Sequence, residues 1–396
     1  EDPYAAQPLE LLDQGKAALA AGSKDPLVLM YVAMAYYHRQ MGAPAYETIK
    51  KAAAAFSKSK KYPREIRFLM LKNQQRVAYG MGDSFAMNKF TETVPAAAAD
   101  WFRFAMQDET ARRHAWHLYD EALDYSFFHP EGSQLALDAY EKVADKDPWL
   151  WEMLQADHYF RVGYYYRTNR SSARVTQRGW EKLAENGAIA RKHYRNAYEL
   201  RPEYPEPAAE LIFLRMNELE EEPEWVWFQR SIAAQIDYAE AYEKMLYALR
   251  PRWGGSHDEM LRFGEACVRT RRFDTDVPYM FIQALLDIQS EGVEWEKLLA
   301  RPRMSDKIDY VFQNLLRDPT RKSMGELTHE QAEFLSQQLG FAVKSNRATV
   351  ARAIWEHLDD GLLPEWIEKF KLKPKYDRSR MTALAAHGEE LAALAR

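Results

Sequence analysis

Histidines and carboxylates at helical spacing are the first residues in this 396-residue chain whose types could do chemistry. His117 and Glu121 are four positions apart, so one helix face could present both to a metal ion. His329 and Glu330 begin like the HExxH zinc motif, but Glu333 stands where the second histidine should be. Solvated histidines on charged helices are the common case, so we predict no metal site.

Nucleophile and phosphate motifs are also missing from the sequence, which has no GxSxG elbow, P-loop or GxGxxG loop. Gly254 and Gly255 precede the start of a predicted helix, where an anion could bind, and Arg250 and Arg252 are close in sequence. A glycine pair between helices is chiefly a turn device, which favours a structural corner over an anion site. We therefore predict no catalytic residue and no cofactor.

Composition narrows the remaining function classes. The net charge of −5 argues against a general nucleic-acid binder, and no apolar run reaches the roughly 20 residues of a membrane span. The single cysteine, Cys267, excludes an internal disulfide and lies between apolar residues, as a small buried side chain would. The start at Glu1 without an initiator Met suits a chain after signal cleavage. We expect an exported, periplasmic bacterial protein, with a cytoplasmic one as the alternative.

The elements that position these residues are helical hairpins, and the clearest lies between Ala239 and Thr270. Pro251 ends its first helix, because proline has no N–H to donate. Ser256 and Glu259 form a capping box that starts the second helix. We expect Trp253 to be largely buried in the corner between them. The corner consists of Arg250, Arg252, Trp253, Gly254, Gly255, Ser256 and Glu259.

A repeated pattern of small residues, an aromatic and a proline connects these hairpins. It occurs as Ala136, Tyr140, Val143 and Pro148, and again as Ala190, Tyr194, Ala197 and Pro202. Small residues let paired helices approach closely, and the aromatics fill the groove between them. The pattern resembles tetratricopeptide repeats (TPR) from about Leu27 to Ile288. The resemblance implies an all-α, TPR-like solenoid of stacked helical hairpins with degenerate repeats and insertions.

The central part is similar to a more specific family. The phrases GWEKL, ELRPEYPEPAAELI and YALRPRWGGSHDEMLRF resemble a bacterial TPR-like domain of unknown function over roughly residues 149–291. This resemblance implies a helical fold and no activity. We predict an N-terminal helical region (1–100), a central TPR-like domain (101–291) and a C-terminal helical region (292–396).

One polar insertion interrupts the repeats at residues 167–178, and it is rich in arginine. Surface arginines form paired hydrogen bonds with carboxylates and are enriched in binding patches. We predict that the insertion and the tyrosines before it contact an acidic protein or peptide partner. The predicted contact residues are Tyr164, Tyr165, Tyr166, Arg167, Arg170, Arg174 and Arg178. The competing interpretation is that these arginines pair with the acidic turn at residues 218–224 and only brace the repeats.

Three functions follow from these features. The first, which we predict, is a non-catalytic scaffold that binds a protein or peptide in its groove or along an edge. The second is a structural subunit built permanently into a larger assembly, which could be attached to a membrane. The third is a hydrolase or transferase with a site at the Trp253–Ser256 corner. The first two differ in whether the purified chain is a soluble monomer.

Overall fold

The computed structural model of the protein describes residues 10–38, 41–59, 61–62, 64–82, 112–113, 115–117, 119–120, 130–317, 329–358 and 369–370. These residues fall into two compact units that divide between Met245 and Leu246. The domain limits predicted from the sequence stay a prediction, and the limit at residue 100 lies outside the described ranges.

Helices are the regular elements throughout the described ranges, which contain no strand. The first unit contains α1 (Glu10–Ala20), α2 (Pro26–His38), α3 (Gly42–Lys58), α4 (Arg64–Gly80), α5 (Glu131–Glu141), α6 (Pro148–Arg167), α7 (Gln177–Leu200), α8 (Glu206–Met216) and α9 (Glu224–Ala234). It also contains most of α10 (Ala239–Ala248), within which the two units divide. The second unit contains α11 (His257–Arg269), α12 (Met280–Ser290), α13 (Trp295–Leu299), α14 (Met304–Arg317), α15 (His329–Lys344) and α16 (Ala348–Leu358).

Helices that follow each other in the chain pack as hairpins, among them α2 with α3, α6 with α7 and α8 with α9. Ala190 and Ala197 of the sequence pattern are fully buried in α7, and so are two further small residues, Ala33 of α2 and Ala45 of α3. A small side chain at these positions lets two helix backbones come close. The predicted all-α fold of TPR-like helical hairpins, the building unit of a solenoid, is therefore confirmed.

The start of α6 shows how one repeat is joined to the next. Asp147 caps the helix by accepting the backbone N–H of Leu150 at 3.0 Å, and Pro148 occupies the first helical turn. The Tyr140 hydroxyl accepts the backbone N–H of Asp147 at 3.0 Å. The aromatic residue of one repeat thus fixes the start of the following helix.

The second unit has a cluster of aromatic side chains that packs directly against Gly340. The ring of Phe370 lies against Trp295 and Phe341, with ring centroids 4.9 and 4.8 Å away. A side chain at Gly340 would come within 2.3 Å of the Phe370 ring, so glycine is required there. Residues 369–370 are in this way anchored to α13 and α15.

Cys267 lies in α11 and is buried, as predicted. Burial raises the pKa of its thiol to about 12, so the reactive thiolate is scarce at neutral pH. None of the helices described here is both long and apolar enough to span a membrane.

Candidate interaction surfaces

The insertion between α6 and α7 is a short connection whose residues are mostly exposed. It contains a single turn of 3-10 helix at Ser172–Arg174, and Thr176 then caps α7 by accepting the Gly179 N–H at 3.1 Å. A side chain at Gly179 would come within 2.9 Å of the Tyr166 carbonyl oxygen. The glycine therefore lets the start of α7 pack against the end of α6.

Two of the predicted contact residues, Tyr164 and Arg167, are used inside the chain. Tyr164 is buried, and its hydroxyl donates to the Asn217 side-chain oxygen. The Arg167 guanidinium lies 5.4 Å from the rings of both Tyr164 and Trp180. It also donates to the carbonyl of Thr168 at 2.9 Å, which holds the turn. Tyr164 therefore joins α6 to the end of α8 and Arg167 holds the first turn of the insertion, so both side chains already have contacts within the chain.

The other predicted residues face solvent. Tyr165 is 44% exposed and Tyr166 is 37% exposed, and their rings meet edge to face at 5.4 Å. The Arg178 guanidinium lies 5.8 Å from the Tyr166 ring. Within the described residues, none of the three exposed arginines of the insertion has an ion pair. We call this surface the Arg–Tyr patch; it consists of Tyr165, Tyr166, Arg170, Arg174, Arg178 and Trp180, which is 38% exposed.

The acidic turn at residues 218–224 is held by arginines of the helices and not by the insertion. Glu220 is buried and accepts Arg195 Nε at 2.9 Å and the Glu222 backbone N–H at 2.9 Å. Burial alone would raise the pKa of Glu220, but these hydrogen bonds keep it below its ordinary value. Further pairs join Arg191 to Glu221, Arg195 to Glu222 and Arg230 to Glu222. The interpretation of the insertion as a brace for this turn is therefore wrong.

The Trp253–Ser256 corner has the predicted backbone with two corrections. Ser256 caps α11 by accepting the Glu259 N–H at 3.2 Å, as expected. The Glu259 carboxylate, however, accepts the Ser256 hydroxyl at 2.8 Å instead of the Ser256 backbone N–H, because the two side chains close on each other. Trp253 is half-buried and not largely buried, since it packs on Tyr247 at the surface of the turn.

The arginines of the corner are not arranged to receive an anion. Arg250 forms an ion pair with Asp287 at 2.6 Å, so its charge is already balanced. Arg250 and Arg252 also lie over the Tyr247 ring, at 4.6 and 4.9 Å. The corner is best explained as a structural turn.

A second surface, which the sequence did not predict, lies where α6, α8 and α10 come together. We call its carboxylates the acidic face: Asp157 of α6, Glu206 and Glu210 of α8, and Glu240 of α10. Helical residues 112, 113, 115–117, 119 and 120, here the resident segment, pack on this face. Trp116 and Tyr119 of the resident segment are almost completely buried.

The resident segment is attached to the acidic face through Glu206, whose side chain is fully buried. Arg113 Nε donates to Glu206 Oε1 at 2.7 Å, and His117 Nε2 lies 3.1 Å from the same oxygen. His117 also lies 3.8 Å from Glu240. Although burial lowers the pKa of His117, its contacts with Glu206 and Glu240 raise it overall. The charged imidazolium is therefore favoured at this position.

Aspartate 120 connects the resident segment to α6. Arg161 of α6 lies 3.3 Å from Asp120 and donates to Asp157 at 2.7 Å, and the Tyr119 hydroxyl also donates to Asp157 at 2.7 Å. Burial and the nearby charge of Glu210 raise the pKa of Asp120 to about 7. This carboxyl therefore changes its charge near neutral pH.

Lys244 provides the main positive charge on the other side of the acidic face. It donates to Glu210 at 2.6 Å and to Glu240 at 3.2 Å. Burial alone would lower the pKa of Lys244, but these two carboxylates raise it well above its ordinary value. The acidic face thus consists of shared ion pairs that link three helices to the resident segment.

One contact resembles a nucleophile beside its base but has the wrong surroundings. Ser133 Oγ lies 2.9 Å from His158 Nδ1, yet Ser133 is fully buried and also donates to the Pro130 carbonyl at 2.9 Å. A hydroxyl with its one proton on a carbonyl accepts from the imidazole, so His158 does not act as its base. This pair joins α5 to α6.

The metal hypothesis from the sequence involved His117 and Glu121. His117 is used by the acidic face, and Glu121 lies outside the described residues. Within the described ranges, no group of three or more histidine, cysteine or carboxylate side chains could hold a metal ion.

Residues 135–271 match the family described as Domain of unknown function (DUF4034). The matched range overlaps residues 149–291, where the sequence resembles a domain of unknown function, and the description of the family names no repeat type. Among solved structures, the chain is similar to a monomeric mutant of IFIT1 with m7Gppp-AAAA, at 10% identity and a TM-score of 0.19. That alignment covers 90% of this chain and 96% of the other. No curated protein matches the chain.

Proposed function

We propose that this chain is a non-catalytic, TPR-like scaffold that binds an acidic protein or peptide through the Arg–Tyr patch. The observation that supports this is the exposure of three arginine side chains on one short insertion, with three exposed aromatic side chains on the helix ends beside it. Their charges are not used by ion pairs within the described residues. A guanidinium next to an aromatic ring offers a carboxylate two hydrogen bonds and an apolar contact together.

The packing of the insertion also supports binding at this surface. Arg167 holds the first turn of the connection and Gly179 lets α7 begin against α6, so both ends of the insertion are fixed in place. The resident segment already covers the shared face of α6, α8 and α10. In the folded chain the Arg–Tyr patch is therefore exposed to a binding partner, whereas that face is covered.

A charge-reversal experiment tests this function. Wild-type chain and the double variant Arg170→Glu, Arg174→Glu are immobilised, and the proteins each captures from an extract of the source organism are quantified by mass spectrometry. The matched control is Arg303→Glu, Arg352→Glu, which changes the net charge equally at exposed arginines of the other unit. We expect the first variant to lose acidic partners by at least tenfold and the control to keep them.

The melting temperature distinguishes binding from folding in the same variants. Because Arg170 and Arg174 form no internal ion pair among the described residues, the reversal should leave the melting temperature nearly unchanged. Capture that survives in the Arg170, Arg174 variant would contradict the proposed site. Light scattering on the purified chain separates a soluble scaffold from a permanent subunit of a larger assembly.

A further inference from the structure

The acidic face lies inside the range that matches the family, and the segment that covers the face lies outside it. Helices α6, α8 and α10, which carry the acidic face, lie inside the matched range 135–271. All residues of the resident segment precede that range. We call the matched range 135–271 the repeat module: it contains the helices that carry the face, and a part of this chain that precedes it supplies the cover.

The resident segment contacts the face in the way that one amphipathic helix occupies a groove. Arg113, Trp116, His117 and Asp120 are spaced i, i+3, i+4 and i+7, so they lie on one side of a helix. Each of them is used: Trp116 is buried, and the other three contact charged groups of the face. A helix that docks in a groove of another protein uses anchors at the same spacing.

Glu206 determines which helix the face accepts. Its fully buried carboxylate has one oxygen, Oε1, that is satisfied by Arg113 and His117 of the resident segment. The other oxygen, Oε2, has no hydrogen-bond partner among the described residues. A buried carboxylate without a cation is strongly unfavourable, so any occupant has to bring positive charge to this point. The remaining carboxylates are balanced by Lys244 and Arg161 from the face itself.

We propose that the acidic face is a binding groove for an amphipathic helix of a partner protein, with a cation, an aromatic and a second cation at i, i+3 and i+4. The resident segment is the internal competitor for this groove. Binding then requires the partner helix to replace the resident segment. The groove uses no residue of the Arg–Tyr patch, so either site can be disproved without the other.

A labelled peptide tests the groove in the full chain. The probe is the fluorescent synthetic peptide TARRHAWHLYDEAL, which has the sequence of residues 110–123. The control peptide has alanine in place of the residues corresponding to Arg113 and His117. The full-length variant His117→Ala weakens the resident segment. We expect this variant to bind the probe at least tenfold more tightly than wild type, and to bind the control peptide no better than wild type does.

A second variant places the binding on the face itself. Adding Glu206→Gln to His117→Ala removes the carboxylate that recognises the cation, and the gain in probe binding should disappear. Equal binding of the probe and the control peptide, or no gain in a His117→Ala chain that stays folded by circular dichroism, would overturn the proposal. If the His117→Ala chain is unfolded, excess probe peptide should restore a cooperative thermal unfolding transition. The absence of that transition would also overturn the proposal. A wild-type chain that dimerises by exchanging this segment would show that the occupant is a second copy and not a partner helix.

Discussion

Arg113 and Glu206 lie 93 positions apart in the sequence and 2.7 Å apart in the structure, measured from Nε to Oε1. The contact brings a residue that precedes the repeat module to a carboxylate fully buried within it. Because Glu206 has no cation from its own helix in this contact, the module depends on the preceding segment for charge balance. The same dependence makes the stability of the protein sensitive to pH.

We predict that the protein resists urea better at about pH 6 than at about pH 8. The pKa of Asp120 is raised to about 7, so its contribution to stability is complete below its ordinary value of 3.8 and is lost as pH rises through 7. The raised pKa of His117 acts in the same direction above its ordinary value of 6.5. The Asp120 side chain keeps 38% of its surface exposed, so solvent screening limits its part to less than about 1 kcal/mol.

Urea titrations of wild type and Asp120→Asn at both pH values measure this effect. Asparagine resembles the protonated carboxyl, so the variant should lose part of the pH dependence. At low pH we expect stability to fall as the pH decreases. Burial alone would raise the pKa of Glu240, but Lys244 and His117 lower it overall. Stability from Glu240 should therefore be lost below about pH 4.5. A wild-type chain that is more stable at pH 8 than at pH 6 would contradict the prediction.

Alanine substitution of two neighbouring glutamates in the acidic turn should change the free energy of unfolding by very different amounts. Glu220→Ala removes a buried carboxylate that balances Arg195 and accepts two backbone N–H groups, and it should lower the free energy of unfolding by about 3 kcal/mol. Glu221→Ala removes an exposed partner of Arg191 and should cost less than about 0.5 kcal/mol. Urea unfolding of the two variants provides the comparison, and equal losses would show that the Arg195 pair contributes little.

One substitution should measure how much the N-terminal cap of α11 contributes to stability. Ser256→Ala removes the oxygen that accepts the Glu259 N–H, which should cost about 1 kcal/mol. Ser290→Ala is the control, because the Ser290 hydroxyl bonds to a carbonyl at an exposed helix end and should be nearly neutral. Thermal unfolding of both variants tests the cap; a Ser256→Ala chain as stable as the control would show that the cap is replaced by water.

The two corner glycines should respond differently to alanine. Gly254 has a φ of +93° and open space around it, so alanine there costs about 1 kcal/mol of backbone strain. Gly255 is different, because a side chain would come within 2.1 Å of the Leu249 carbonyl oxygen. The turn would have to shift, at a cost of about 3 kcal/mol. Chemical denaturation ranks the two variants, and the reverse order would exclude this account of the corner.

The repeats could be predicted from the sequence because their information is local. Small residues such as Ala190 and Ala197 are one helical turn or two from an aromatic, and each hairpin repeats this spacing. The acidic face could not be predicted, because Arg113 and Glu206 are too far apart in the sequence for any local pattern to connect them. A weak signal was available in Asp157 and Arg161, which are four positions apart among the aromatic and apolar residues of α6. This spacing is compatible with an ion pair but does not indicate which distant helix completes it.

The side chains of the insertion illustrate the same limit at shorter range. Tyrosine and arginine are typical of binding surfaces, yet Tyr164 bonds to Asn217 at the end of α8 and Arg167 holds the turn of the insertion. Successive positions at the end of a helix point in different directions, so Tyr164 is buried while Tyr165 and Tyr166 face solvent. Residue types alone single out this region as a candidate, and only the packing separates its buried side chains from its exposed ones.

The buried thiol of Cys267 makes the native chain suitable for site-directed labelling without prior mutagenesis of cysteines. It is the one cysteine of the sequence, and its raised pKa keeps it almost unreactive towards maleimides at neutral pH. A cysteine introduced at Arg174 would then take up a dye selectively, and a second at Ala115 would become reactive only when its helix leaves the core. The labelling rates of these two positions would report, in one protein, how often each surface is open to solution.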